Sequence, residues 1–178
     1  FPNGGLAVRA RGLTRVLDAD GGVAFDNPAR ADRVISEQVA YQMVSMLQDV
    51  MDRGTASAAR STFGIRFPSG GKTGTTDDGT DVWFVGFTSE IVTGVWMGLD
   101  TPQKIKANAA GGVLAAPAWT AYMREVYQRR ARPPGWPRPE TLITREVDNT
   151  TGYLATSFCP RTARYWEWFI PGTEPKEY

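Results

Sequence analysis

A cluster of hydroxyl, glycine and lysine residues lies near the middle of the chain, at 69–76, with the sequence Ser-Gly-Gly-Lys-Thr-Gly-Thr-Thr. On a strand, Thr73 and Thr75 would share one face, and Lys72 and Gly74 the other. Twist at a sheet edge can still bring the lysine ammonium towards the hydroxyls. Ammonium and hydroxyl groups bind carboxylates, glycine lets a backbone approach closely, and an edge N–H can stabilise an oxyanion. One prediction for the cluster is therefore a strand that binds a carboxylate and lets a substrate backbone lie close to it.

Three other interpretations of this cluster compete with that prediction. A phosphate-binding loop would need a glycine five residues before Gly71, where Arg66 stands. Ser69 and Lys72 have the spacing of a Ser-x-x-Lys nucleophile, but the Gly-Gly between them is a poor helix start. The simplest alternative is a glycine-rich turn without function, which an isolated Lys-Thr-Gly would favour. The surroundings of the cluster must decide among them.

Composition narrows the possible chemistry. The 178 residues suffice for one domain or part of one, and 20 basic against 19 acidic residues give a net charge of +1, which predicts no nucleic-acid binding. The chain has no histidine, which removes Ser-His-Asp and Cys-His mechanisms and most zinc sites, and Cys159 is its single cysteine. No apolar stretch is long enough to cross a bilayer.

The elements before the cluster are predicted to be a hairpin and a helix. Turn formers between Leu13–Leu17 and Val23–Phe25 predict a β-hairpin. Ser36 is a predicted N-cap, and apolar residues at helical spacing continue to Gly54. Thr55 is then predicted to cap a short helix over 56–60.

After the segment at 70–75, the sequence predicts two apolar strands, a second helix and a tail. The strands, at 81–87 and 91–99, are predicted to pair antiparallel with the cluster and to have both faces covered by helices. A helix is predicted over 115–130, a strand over 142–147, and an aromatic loop from Gly152. The predicted fold class is an α/β sandwich with helices packed on an antiparallel sheet.

The surroundings of the cluster resemble the transpeptidase domain of class A, bifunctional penicillin-binding proteins. The resemblance extends over essentially the whole chain, in order, which makes the combination specific although each piece is weak. The similar segments are Asn3-Gly4-Gly5, Ile35-Ser36, Ser45–Val50, Gly54-Thr55-Ala56, Gly71–Thr76, Asp81–Thr88, Val95–Asp100, Gly111-Gly112, Ala115–Trp119, Thr151–Ala155, Cys159-Pro160 and Pro171–Pro175.

The resemblance implies a peptidoglycan D,D-transpeptidase with the penicillin-binding-protein and β-lactamase fold. In that family a serine attacks the D-Ala-D-Ala end of a stem peptide, β-lactams mimic this end, and no metal or organic cofactor is needed. The family's site implies a catalytic role for Lys72 and Thr75, with the Thr75 N–H as an oxyanion donor. It implies substrate binding by Thr73, Gly74, Thr75 and Thr76. Asp81, Trp83 and Phe84 match a support strand and are expected to be structural.

Two of the family's motifs do not occur in the expected form. Nothing before Lys72 fits a helical Ser-x-x-Lys nucleophile, and no serine has asparagine two residues later. We therefore expect both motifs upstream of Phe1, in the missing half of the transpeptidase domain, which would be this chain's partner. The resemblance also implies a glycosyltransferase domain and a membrane anchor upstream, and a location on the outer face of the bacterial cytoplasmic membrane. Alone, the chain is expected to be inactive.

The expected organisation is one transpeptidase half-domain over 1–132, followed by a proline-rich linker and an aromatic tail over 133–178 that packs on it. Lys-Thr-Gly alone also fits a D,D-carboxypeptidase or a β-lactamase, and a non-catalytic scaffold of the same fold is a further alternative. The segment at 115–117 and the tail favour the class A family.

Overall fold

Three antiparallel strands, adjacent in the sequence, form the sheet that carries the Lys-Thr-Gly segment. A computed structural model describes residues 1–176. In chain order the elements are β1 (Leu6–Val8), β2 (Arg15–Leu17), β3 (Val23–Asp26), β4 (Ala31–Arg33), α1 (Glu37–Asp52), α2 (Ala58–Ser61), β5 (Gly70–Thr75), β6 (Val82–Phe87), β7 (Val92–Met97), α3 (Ala115–Gln128), β8 (Ile143–Asp148) and β9 (Arg164–Phe169). Lys72 lies opposite Val85, which lies opposite Gly94. The predicted antiparallel sheet is confirmed.

Helix α1 begins and ends where the sequence predicts. The Val39 N–H donates to the Ser36 hydroxyl over 3.2 Å, so this serine is the N-cap. Ala40, Val44 and Met51 are buried on one stripe of the helix, which packs against β5. Within residues 1–176, every helix is too short or too polar to cross a lipid bilayer.

Helix α3 covers one face of the sheet and forms the main core with it. Trp119 is fully buried, and its ring meets that of Phe84 edge-on at 5.4 Å between centroids. Gly86 on β6 makes this contact possible, because a Cβ there would lie 2.4 Å from the Trp119 ring. Large aromatic groups packed this closely supply much of the stability of the sheet.

The opposite face of the sheet is only partly covered, so the prediction that helices cover both faces is wrong for this part of it. Helix α1 covers the end near Gly70, where a Cβ would lie 3.1 Å from the backbone of the helix. Elsewhere on this face, Val92, Trp96, Trp83 and Val85 remain 66%, 48%, 46% and 43% exposed. The outer edge of β7 pairs with no strand among residues 1–176.

The aromatic tail contains a strand, and the prediction that it is a loop is wrong in this respect. β9 pairs antiparallel with β8, and the pair packs on α1 through Trp168. The Trp168 ring meets Tyr41 edge-on at 5.8 Å and lies under the Arg138 guanidinium, and its carbonyl accepts a 2.8 Å bond from Gln42. Apolar residues on both faces of β9 obscure the alternation by which a strand is recognised.

The short strands near the N-terminus form two further ribbons. β2 and β3 confirm the predicted hairpin, with an irregularity between Val16 and Leu17. β1 and β4 pair as well, in register from Leu6 opposite Arg33, and the sequence did not predict this pair. Strands of three residues carry too little pattern to be recognised alone.

Replacing Glu167 with glutamine is expected to stabilise the protein at pH 7 but not at pH 4. Burial beside α1 raises the pKa of the Glu167 carboxyl, and Asp49 adds to the increase, although the Trp168 N–H and Arg53 oppose it. A raised folded-state pKa means that ionisation destabilises the fold, and this cost disappears as the pH falls below the unfolded-state value. Because the group is partly exposed, we expect a gain of roughly 0.5 kcal/mol.

Thermal unfolding of the parent and Glu167→Gln proteins at both pH values measures this difference. Glutamine still accepts the 2.8 Å bond from the Trp168 N–H. The matched control is Glu140→Gln, since Glu140 is exposed. Equal gains at both pH values would mean that ionisation of Glu167 is not the cause.

Candidate functional site

The free edge of β5 presents the backbone groups of Thr73 and Thr75. The Thr76 N–H donates to the Asp81 carbonyl over 3.1 Å, on the side where β6 lies. Because backbone groups of an antiparallel strand alternate in direction, the N–H and C=O groups of residues 73 and 75 point away from β6. The Thr73 carbonyl accepts from Lys72 Nζ, and the other outward groups are placed to pair with an extended ligand laid along the edge.

The Lys72 ammonium lies at this same edge. Its side chain leaves β5 on the face of Val85 and is exposed, and Nζ donates to the Thr73 carbonyl over 2.8 Å. The ammonium therefore lies at the edge of the strand, beside the Thr73 carbonyl. The structure thus brings the predicted cation and the predicted edge together.

The hydroxyls of Thr73 and Thr75 lie together on the other face, as the alternation predicts. The Thr73 hydroxyl is 2.8 Å from that of Thr55, in the loop between α1 and α2. The Thr75 hydroxyl accepts a 3.0 Å bond from the Gly111 N–H. Each hydroxyl is therefore held by one partner from a distant segment.

The Gly111-Gly112 segment crosses β5 at Gly74 and fixes both threonines. A Cβ at Gly111 would lie 2.3 Å from the Trp83 carbonyl oxygen and 2.8 Å from that of Gly74. At Gly112, a Cβ would lie 2.0 Å from the Thr55 carbonyl oxygen. The Gly111 carbonyl accepts a 2.8 Å bond from Ala116 in the first turn of α3, so the helix anchors the segment.

Thr76 holds the turn between β5 and β6. Its hydroxyl accepts 3.0 Å bonds from the N–H groups of Thr80 and Asp81. Substrate binding by Thr76 stays a prediction, and its hydroxyl already has a structural task. The Asp81 carboxylate accepts from the Trp96 indole N–H at 2.9 Å and from the Thr80 hydroxyl at 2.9 Å, which fits a structural residue.

The Ser69 side chain is bonded within its own segment. It is fully buried, and its hydroxyl donates to the Phe67 carbonyl over 3.2 Å. It cannot act with Lys72 as a nucleophile pair, so the Ser-x-x-Lys spacing is accidental. The segment from Gly70 is a strand, which also disagrees with a phosphate-binding loop followed by a helix.

Two contributors to this site were not recognised in the sequence: Thr55 and the Gly111 N–H. Thr55 was predicted to cap a short helix, but that helix begins after Ser57, and the Thr55 hydroxyl is bonded to Thr73 instead. Both groups reach β5 through contacts between distant segments, for which local spacing carries no signal.

The arrangement is suited to binding an anionic peptide end. One ammonium, two hydroxyls with fixed partners and outward backbone N–H groups lie along one strand, where each would form charge-assisted bonds with a carboxylate or an oxyanion.

Two models of known protein families match the chain. Residues 1–124 match the model of the penicillin binding protein transpeptidase domain, and residues 138–178 match that of the penicillin-binding protein 1A C-terminal domain.

Individual relatives were also found. The chain is 38% identical over 147 residues to penicillin-binding protein 1A of Pseudomonas aeruginosa, covering 80% of this chain and 17% of the relative. It is 39% identical over 132 residues to the Neisseria gonorrhoeae protein of the same name, covering 70% of this chain and 16% of the relative. The chain thus spans about a sixth of the length of these curated relatives.

Solved structures share the fold. A crystal structure of penicillin-binding protein 1A from Haemophilus influenzae matches 99% of this chain and 31% of its own, with a TM-score of 0.83 and 24% identity. An imipenem acyl-enzyme complex of penicillin-binding protein A from M. tuberculosis matches 69% of this chain and 28% of its own, with a TM-score of 0.50 and 21% identity. These similarities confirm the predicted fold class.

Proposed function

The chain belongs to the penicillin-binding protein transpeptidase family, and from this we propose that it supplies the substrate-binding wall of a peptidoglycan D,D-transpeptidase site. The observation that carries the proposal is the edge of β5, where the Lys72 ammonium lies 2.8 Å from the Thr73 carbonyl and the hydroxyls of Thr73 and Thr75 lie on the adjacent face of the same strand. The ligand would be the D-Ala-D-Ala end of a stem peptide, or a β-lactam that mimics it.

Each residue of the edge has a proposed role. Lys72 holds the substrate carboxylate region and the proton network, and the hydroxyls of Thr73 and Thr75 bind the carboxylate. Gly74 leaves room for the ligand backbone, since it has no side chain. The Thr75 N–H points outward and would stabilise the oxyanion of the acylation step. For Thr76, we propose substrate binding only in addition to its place in the turn.

The nucleophilic serine would come from chain that precedes Phe1, and the two parts together would complete the site. A half-covered sheet face and an open edge at β7 support such a partner. We further propose that the longer protein carries a glycosyltransferase domain and a membrane anchor, and that it works on the outer face of the bacterial cytoplasmic membrane.

We also propose that residues 133–178 pack on the body formed by residues 1–132. Trp136 meets Phe87 edge-on at 5.5 Å, and Gln38 on α1 donates to the Thr141 hydroxyl over 3.1 Å. Such contacts would hold the linker and the tail to the transpeptidase part.

Covalent labelling with a fluorescent penicillin tests the function. We expect no label on residues 1–178 alone, because the nucleophile and one oxyanion donor are absent. We expect one label per molecule on the full-length protein that contains these residues, and pre-incubation with an unlabelled β-lactam should block it.

Two results would contradict the proposal. Stoichiometric label on the chain alone would mean that its nucleophile lies within residues 1–178. No label on the full-length protein would favour the non-catalytic scaffold. If the full-length protein is labelled, product analysis with stem peptides separates cross-linking from the simple release of D-Ala by a carboxypeptidase.

A further inference from the structure

We propose that Thr55 is a positioning residue that, together with the Gly111 N–H, aims the hydroxyl protons of Thr73 and Thr75 at the carboxylate of the ligand. This inference rests on the proposed function and adds to it a residue outside the Lys-Thr-Gly segment.

The direction of the Thr75 hydroxyl is fixed by a partner that can only donate. A threonine hydroxyl donates one hydrogen bond and accepts up to two. The Gly111 N–H donates to Thr75 Oγ1 over 3.0 Å and has no lone pair to offer in return. The Thr75 proton therefore remains available for an acceptor on the open side of the edge.

The bond between Thr73 and Thr55 can run in either direction. Their oxygens are 2.8 Å apart, and either hydroxyl can be the donor. When an anion binds at Thr73, the Thr73 proton must point to the anion, because a carboxylate only accepts. Thr55 must then donate to Thr73. Accepting this bond polarises the Thr73 hydroxyl, which strengthens its own hydrogen bond to the anion.

The backbone of Thr55 is held firmly enough for this task. Gly112 packs so closely on the Thr55 carbonyl that a Cβ there would lie 2.0 Å from its oxygen. The next residue, Ala56, is fully buried, and its N–H donates to the Val50 carbonyl of α1 over 2.9 Å. The Thr55 hydroxyl is thus held over β5 by α1 on one side and by the glycine segment on the other.

The geometry points to a carboxylate in preference to a neutral group. Thr73 and Thr75 are two residues apart on one face, about 7 Å along the strand, and both would present protons to the same side. The Lys72 ammonium at the Thr73 carbonyl adds a positive charge there. Two directed protons and one cation match a ligand with two anionic oxygens.

A comparison of free-acid and esterified penicillin tests the inference on the full-length protein. Acylation rate constants are measured with benzylpenicillin and with its methyl ester, which lacks the anionic oxygens. In Thr55→Val, we expect acylation by the free acid to slow about tenfold and acylation by the ester to change less than twofold. Thr55→Ser keeps the hydroxyl and should restore most of the lost rate.

The ratio of the two rates is the decisive quantity, because it does not depend on how much of a variant is folded. The matched control is Thr62→Val, since Thr62 is exposed and its side chain has no hydrogen bond within residues 1–176. An unchanged ratio in Thr55→Val, with or without slower acylation, would overturn the role of Thr55. The parent protein would still be labelled in that case, so the proposed function would stand; an unlabelled parent would overturn both.

Discussion

Replacing Lys72 with methionine is expected to lower the rate of acylation by penicillin about 100- to 1000-fold in the full-length protein. Methionine keeps a flexible, unbranched side chain but removes the ammonium that lies 2.8 Å from the Thr73 carbonyl at the free edge. Losing one preorganised electrostatic contact to the transition state costs this much in other acyl-transfer enzymes. Because Lys72 is exposed and its ammonium bonds, among residues 1–176, only to its own strand, the fold should be retained.

Two further variants provide a control and a test of charge against geometry at position 72. Lys104→Met removes an exposed lysine elsewhere and should label at the parent rate. Lys72→Arg keeps the positive charge but replaces the compact ammonium with a planar guanidinium. We therefore expect it to label little faster than Lys72→Met. Stopped-flow or quenched labelling measures all three. Labelling of Lys72→Met at the parent rate would remove this lysine from the catalytic site.

Replacing Gly111 with alanine is expected to destabilise the protein by about 3 kcal/mol or more, an effect at the upper end of overpacking substitutions. The new Cβ would lie 2.3 Å from the Trp83 carbonyl oxygen and 2.8 Å from that of Gly74. Both are backbone atoms of paired strands, so neither can rotate away. Relief would require the segment to lift off β5, and the Thr75 hydroxyl would then lose its N–H donor.

The glycine at 135 provides the control for this experiment. A Cβ there would meet only a Pro68 side-chain carbon at 3.9 Å, so Gly135→Ala should change stability by less than about 1 kcal/mol. Urea denaturation followed by tryptophan fluorescence gives the midpoints, and penicillin labelling of the folded fraction reports the site. A Gly111→Ala protein that unfolds at the parent's urea concentration would show that the segment moves freely.

The parts of the fold that the sequence predicts are those with local and periodic causes. The N-cap at Ser36, the stripe of apolar residues on α1 and the apolar runs of β6 and β7 each act within a few residues. The division of Lys72 and Thr73 between two faces follows from the period of a strand alone. For this reason the central sheet, both long helices and the orientation of the Lys-Thr-Gly segment are predicted correctly.

The parts that the sequence does not predict depend on contacts between distant segments. Thr55 and Gly111 meet β5 from 18 and 36 residues away, and nothing in their own neighbourhoods indicates which hydroxyl they bind. Strand β9 is hidden because aromatic residues occupy both of its faces. The open face of the sheet is missed for a related reason, since apolar composition predicts that a surface is covered but does not identify what covers it.

The exposed tryptophans of the central sheet have an optical consequence. Trp83 and Trp96 face each other across β6 and β7 with ring centroids 6.4 Å apart, close enough for their excited states to couple. A Cβ at Gly74 would lie 3.3 Å from that of Trp83, so this chromophore pair touches the strand that carries the ammonium. Circular dichroism of the coupled indoles, and the wavelength of their emission, should therefore record without any added dye whether this surface is wet or covered.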